Sequence, residues 1–355
     1  MAYTTINDPS EYFHIRLYTS NNGELAVTNN ANFGDFQPDW IWIKDRGATI
    51  DHILSDTSRG ITKRLESNTD DAEGANSQDV KSVQSNGFTV GNNNGVNAGT
   101  SPHVAWQWKA NGGTATATVS ESGNNPANVR QTNTDAGFSI ITYTGTGAVG
   151  TIAHGLGVVP EWIVVKNRGR TKDWCVYHHQ IASDPQTDKI ELNLDGAVSD
   201  DGAVWNDTAP TSSVFTVGPS DERTNANDDT YVAYCFAGIQ GYSKFGMYPG
   251  NGNANGAFVY TGFKPAWVLL KRFDSGNNWH LHDIKRSNTG GNPQDDILYP
   301  NLTNVEQDED VDLLSNGFKL RVTGGGHNNG SGKYIYMAFA ESPFVSSDGV
   351  PTTAR

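Results

Sequence analysis

Three stretches of the chain repeat one pattern, and that repetition limits the folds open to it more than any single residue does. They are Pro38-Asp39-Trp40-Ile41-Trp42-Ile43-Lys44, Pro160-Glu161-Trp162-Ile163-Val164-Val165-Lys166 and Pro265-Ala266-Trp267-Val268-Leu269-Leu270-Lys271. Each runs from a proline through a tryptophan and an apolar stretch to a lysine. The copies recur at intervals of roughly a hundred residues, long enough for each to hold a core of its own, so they read as tandem domains rather than solenoid turns.

Further landmarks keep the same order. Phe88, Phe215 and Phe318 follow the three tryptophans Trp40, Trp162 and Trp267, and these six are the expected structural core. Each copy closes on one more apolar strand, beginning at His103, Tyr231 and Tyr334. Trp174 and Trp279 stand at matching places on a second strand, where the first copy has Ile50-Asp51-His52-Ile53-Leu54. Strand-like runs of Val, Ile, Tyr, Phe, Trp and Thr lie between Gly, Asn and Pro clusters, and no segment keeps a helical period. The expected fold is all-β: three tandem antiparallel β-sandwich domains, jelly-roll or concanavalin-like. The expected limits are an N-terminal arm at 1–13, repeats at 14–110, 136–241 and 242–344, a polar linker at 111–135 and a tail at 345–355. Repeats two and three should form a near-rigid pair, with repeat one free to swing.

Composition narrows the function classes. Aromatic residues make up 10% of the chain, too many for a disordered one. A net charge of −14 opposes binding to a phosphate backbone, so no nucleic-acid partner is expected. The N-terminal residues lack a basic, apolar leader and no stretch reaches membrane-span length, so assembly in a cytoplasm without membrane insertion is expected. Cys175 and Cys235 read as buried, reduced thiols.

Catalytic signatures find no footing. Gly145-Thr146-Gly147-Ala148-Val149-Gly150 fits a dinucleotide fingerprint only at its glycines and has no helix to follow it. Cys175 with His178-His179 is too sparse a set for zinc. His280 and His282 share a strand face but read as hairpin surface, and Glu306–Asp312 and Asp70–Gly74 read as solvated acidic loops. No catalytic residue, metal or cofactor is therefore expected. Loops rich in Gly and Asn precede each closing strand at matching places. Their Asn92, Asn93, Asn94, Asn225, Asn227, His327, Asn328 and Asn329 are the candidate recognition residues, set against ordinary turn chemistry.

Several long phrases carry a resemblance. They include Gly137–Gly147 followed by His154-Gly155-Leu156-Gly157, Trp205–Phe215, Thr261–Val268, Leu314–Arg321 and Tyr334–Glu341. Over about residues 11–344 the chain resembles an uncharacterised repeat family of tailed bacteriophages of marine bacteria and cyanobacteria, whose members are described as virion structural or tail-fibre-like. The resemblance implies a non-enzymatic virion surface protein, either a capsid decoration or a tail appendage. It would be assembled in the host cytoplasm, with other virion proteins as partners and a homo-oligomer, preferably a trimer, as its state. The alternative is an adhesin for host-surface glycans, and behind it a glycan depolymerase.

Overall fold

The computed structural model describes residues 2–29, 35–287, 290–324 and 326–352. Nearly every regular element is a β-strand, and the sheets are antiparallel. One strand order recurs three times. An opening strand (Phe13–Thr19, Phe138–Thr144, Ser243–Pro249) pairs with a closing strand (Pro102–Trp108, Thr230–Phe236, Lys333–Pro343). The closing strand pairs in turn with a tryptophan strand (Trp40–Asp45, Trp162–Asn167, Phe263–Arg272), and that with a return strand (Ile53–Asp56, Cys175–His178, Trp279–Asp283). The register recurs as well, since Trp40 faces Trp108, Trp162 faces Phe236 and Trp267 faces Phe339. Pro265 lies within its strand, and the ladder shifts register there, as expected where a residue lacks an N–H to donate.

Period-two alternation explains how both faces of these sheets are covered. Trp40 and Trp42, Trp162 and Val164, and Trp267 and Leu269 all enter one apolar cluster common to the three repeats. The alternate residues turn the other way. Ile41 and Ile43 pack with Phe88, Ile163 and Val165 with Phe215, and Val268 and Leu270 with Phe318, in three separate clusters. A strand that is apolar on both faces must lie between two layers, and here one layer is shared among the copies. Within the shared core Trp40 stacks on Tyr234 at 4.6 Å and Trp108 meets Trp267 edge-on at 5.7 Å.

Polar contacts close the repeats into a cycle. The Trp174 indole donates to the Glu66 carbonyl (3.0 Å), joining repeat two to repeat one, and the Trp279 indole donates to the Glu191 carbonyl (2.9 Å), joining three to two. His52 holds the same strand position in repeat one, and its Nε2 meets the Tyr299 carbonyl of repeat three at 3.1 Å. Two of the three terminal lysines follow suit, while Lys44 bonds the Asp45 and Ala48 carbonyls of its own repeat. Lys166 Nζ donates to the Asp70 carbonyl (3.2 Å) and Lys271 Nζ to the Asp195 carbonyl (3.0 Å). Arg168 pairs with Glu73, and Arg46 with Glu306. Lys44, Lys166 and Lys271 are buried, and desolvation pushes each amine down to about 8.

Three sequence-based expectations change. Repeat one cannot swing, because the cycle holds it on both sides and its tryptophans sit in the common core. The linker is not a free spacer: Ala117–Val119 and Asn128–Asn133 are strands added to the edge of the second repeat's sheet beside Phe138–Thr144. Mostly polar side chains in Asn128–Asn133 disguise it, since a strand near a sheet edge needs few apolar residues. The arm is not free either. Ile6 is buried in the shared core, Tyr3 Oη donates to the Gly262 carbonyl (2.6 Å), and Asn7 bonds Ser347 (2.7 Å). Residues 353–355 of the expected tail and Met1 lie outside the described residues.

Candidate functional site

The Asn-rich loops before the closing strands hold a recurring internal clamp. Asn97 Nδ2 donates to the Gly91 and Gly23 carbonyls, Asn225 Nδ2 to those of Ala148 and Gly218, and Asn328 Nδ2 to those of Asn253 and Val322. Each side-chain oxygen accepts a backbone N–H, from Asn21, Thr146 and Asn251 in turn. Asn225 and Asn328 are buried, so these amides satisfy turn backbone. Asn93 caps a short helix, Asn94–Asn97, by accepting from Gly95 N at 2.9 Å. Asn92, Asn94 and Asn227 are exposed and Asn329 is half-buried. Asn97 is the clamp member that the sequence reading missed; its offset from the closing strand was the available signal. Gly325, in the third loop, lies outside the described residues.

His327 does something else. It is buried immediately before the clamp residue Asn328, and its ring packs on His280 (centroids 5.0 Å apart) and on His282 (5.5 Å). Glu309, a quarter exposed, reaches into the same place. Its Oε2 lies 3.3 Å from His280 Nε2 and 3.2 Å from His327 Nδ1. The donor atoms of His280, Glu309 and His327 all lie within 4.8 Å of one another. The hairpin-surface reading of His280 and His282 therefore fails, because the third repeat's loop and acidic strand cover that face. Glu309 is likewise no member of a solvated loop, since Gln307–Leu314 forms a strand.

Electrostatics in this pocket are set by burial. Desolvation lowers His280, partly offset by Glu309, and lowers His282 strongly, with His327 and His280 adding to it. Burial would raise Glu309, but its two histidine neighbours outweigh that and hold the carboxyl below its ordinary range. Among the described residues both nitrogens of His282 and Nε2 of His327 have no hydrogen-bond partner, while His327 Nδ1 meets only Glu309 Oε2. Two imidazoles and a carboxylate converging in this way form a donor set able to hold a divalent ion.

A second feature lies at the junction of repeats two and three. Phe258 and Tyr260 are 47% and 50% exposed. Beside Tyr260 a cleft is lined by Tyr3, Glu161, His179, Gln180 and Lys244. Lys244 Nζ sits 5.1 Å from the Tyr260 ring centre and donates to the Tyr260 carbonyl (2.8 Å). Burial raises Glu161 and lowers Lys244. Cys175 and Cys235 are free and buried, and desolvation pushes both thiols up, away from reactivity.

Fold and site together define an all-β protein of antiparallel sheets with a recurring strand order around one shared aromatic core. The chain belongs to a family described as a domain of unknown function, DUF7483, which it matches over residues 8–343. No curated protein and no solved structure matches it.

Proposed function

We propose that this chain is a non-enzymatic structural protein of a bacteriophage particle surface, built from three β-sandwich modules closed into a ring. One observation supports the architecture best, the cycle in which Trp174, Trp279 and His52 each bond a carbonyl of the preceding repeat. Equivalent contacts that close on themselves give a rigid body with approximate threefold character from a single chain. Such a body suits a fixed surface decoration. The resemblance of its repeat phrases to those of phage virion proteins supports the particle, with other virion proteins as partners. The test is quantitative mass spectrometry of gradient-purified particles together with electron microscopy of particles labelled on this chain. Stoichiometric recovery with label on the outer surface is expected. A chain left in the soluble lysate and absent from particles refutes the proposal.

A second reading, adhesion to host-surface glycans, is favoured by the exposed Phe258 and Tyr260 beside the polar cleft at Glu161, His179 and Lys244. Aromatic faces next to hydrogen-bonding groups suit the apolar and polar sides of a sugar ring. Glycan-array binding that is lost in Phe258→Ala/Tyr260→Ala would establish it. An array without signal at high micromolar chain removes it.

A further inference from the structure

The internal repetition supplies a built-in comparison for the histidine cluster. His280 lies opposite Leu270 on the tryptophan strand, Cys175 opposite Val165 and Ile53 opposite Ile43, so these three occupy one place in the three repeats. His327, Thr224 and Val96 likewise each precede the clamp asparagine. Glycine precedes Val96 and His327, whereas Arg223 precedes Thr224. A Cβ on Gly95 would lie 2.8 Å from Ile53, and one on Gly326 would lie 1.5 Å from the His280 ring. Repeat one thus fills this place with Ile53 against Val96, an apolar contact that needs nothing more. Repeat three fills it with two imidazoles and a carboxylate. The substitution is costly, because buried polar atoms without partners destabilise a fold.

We propose that His280, Glu309 and His327 form a structural site for a zinc-type divalent cation, which ties the 326–329 loop to the return strand of the third repeat. Four observations carry it. First, metal–donor bonds of about 2.0–2.1 Å around a tetrahedron set donor separations of about 3.3 Å. Glu309 Oε2 stands 3.3 and 3.2 Å from the two histidine nitrogens. Second, His280 Nδ1 lies 2.9 Å from the Asn278 carbonyl, which accepts its proton and leaves Nε2 as a lone pair aimed at Glu309. That is the outer hydrogen bond that orients metal-bound histidines. Third, His327 is fully buried, yet among the described residues its Nε2 has no hydrogen-bond partner and its Nδ1 meets only Glu309 Oε2. A cation among these groups supplies what each lacks. Fourth, Glu309 is 24% exposed, so an ion and a solvent molecule can reach the centre past it. Two nitrogen donors with one oxygen select zinc, cobalt or nickel over calcium and magnesium, which take oxygen shells. His282, whose ring nitrogens have no partner among the described residues, packs against His327 on the buried side.

The test uses the untagged full chain, stripped with a chelator and titrated with Co²⁺ and Zn²⁺. One equivalent of Co²⁺ should give the intense visible absorption of a tetrahedral site, displaced by Zn²⁺, and saturating Zn²⁺ should raise Tm by on the order of 3 °C. The variants copy repeat one. His280→Ile with His327→Val installs the Ile53 and Val96 pairing and should fold while losing the absorption and the Zn²⁺ shift. Glu309→Gln, made separately, should weaken binding by at least about tenfold. A stripped wild-type chain that takes up no stoichiometric metal, or a double variant that keeps the cobalt spectrum, overturns the proposal.

Discussion

Trp279→Phe tests whether the repeats share one core or stand as separate domains. Trp279 is fully buried and meets Trp162 of repeat two edge-on at 5.9 Å, while its indole N–H donates to the Glu191 carbonyl at 2.9 Å. Phenylalanine keeps the ring contact but removes the donor, which costs about 1–2 kcal/mol when a buried bond is lost. It is also about 40 Å³ smaller, and at ~24 cal/mol per Å³ of residual cavity that adds about 1 kcal/mol. Together they predict a loss of about 2–3 kcal/mol, a sizeable part of an ordinary stability of roughly 5–15 kcal/mol. The assay is equilibrium urea unfolding followed by far-UV circular dichroism and tryptophan fluorescence. With a slope of roughly 3 kcal/mol/M the midpoint should fall by about 1 M. The two probes should still coincide in a single transition, since the damaged joint lies inside a core common to all three repeats. Two transitions, with a minority unfolding early and the rest unmoved, would refute the shared-core reasoning.

Acid should weaken the fold through its buried histidines. Trp42 Nε1 donates to His52 Nδ1 (2.9 Å), so His52 must stay neutral, and burial holds it and His178 well below their ordinary value. The unfolded chain binds their protons near pH 6.5 and the folded chain does not. Stability is therefore full above about pH 6.5 and falls below it by about 1.4 kcal/mol per pH unit for each histidine. A Tm that stays flat from pH 7 to pH 5 would contradict this. Asn225→Ala removes two donated bonds and one accepted one from buried turn backbone, and should cost about 2–4 kcal/mol in thermal unfolding. Asn94→Ala, on an exposed side chain, should stay within about 0.5 kcal/mol. Gly326→Ala drives a methyl into the His280 ring, and differential scanning fluorimetry should show a lower Tm and a lost Zn²⁺ response.

Much of the secondary structure was legible because it is written locally. Alternation in Trp40–Ile43, Trp162–Val165 and Trp267–Leu270 marks strands apolar on both faces, and the repetition of that pattern marks equivalent places. The linker segment was illegible for the same reason, since Asn128–Asn133 joins a sheet edge with mostly polar side chains. Asn225 and Asn328 were visible as loop asparagines, but not as clamps, because the carbonyls they hold come from other loop segments, Ala148 and Gly218 in one case and Asn253 and Val322 in the other.

What the residues alone determined is the strand-rich character, the threefold recurrence and the family of interchangeable positions, all properties of short-range periodicity. What only the tertiary structure decided is which surfaces those faces meet. The tryptophan faces close on one another instead of on three separate layers, because leaving three aromatic faces in water costs more free energy than ordering one ring of sheets. Packing within the third repeat brings His280, Glu309 and His327 together from three separate segments, a juxtaposition that no spacing along the chain encodes.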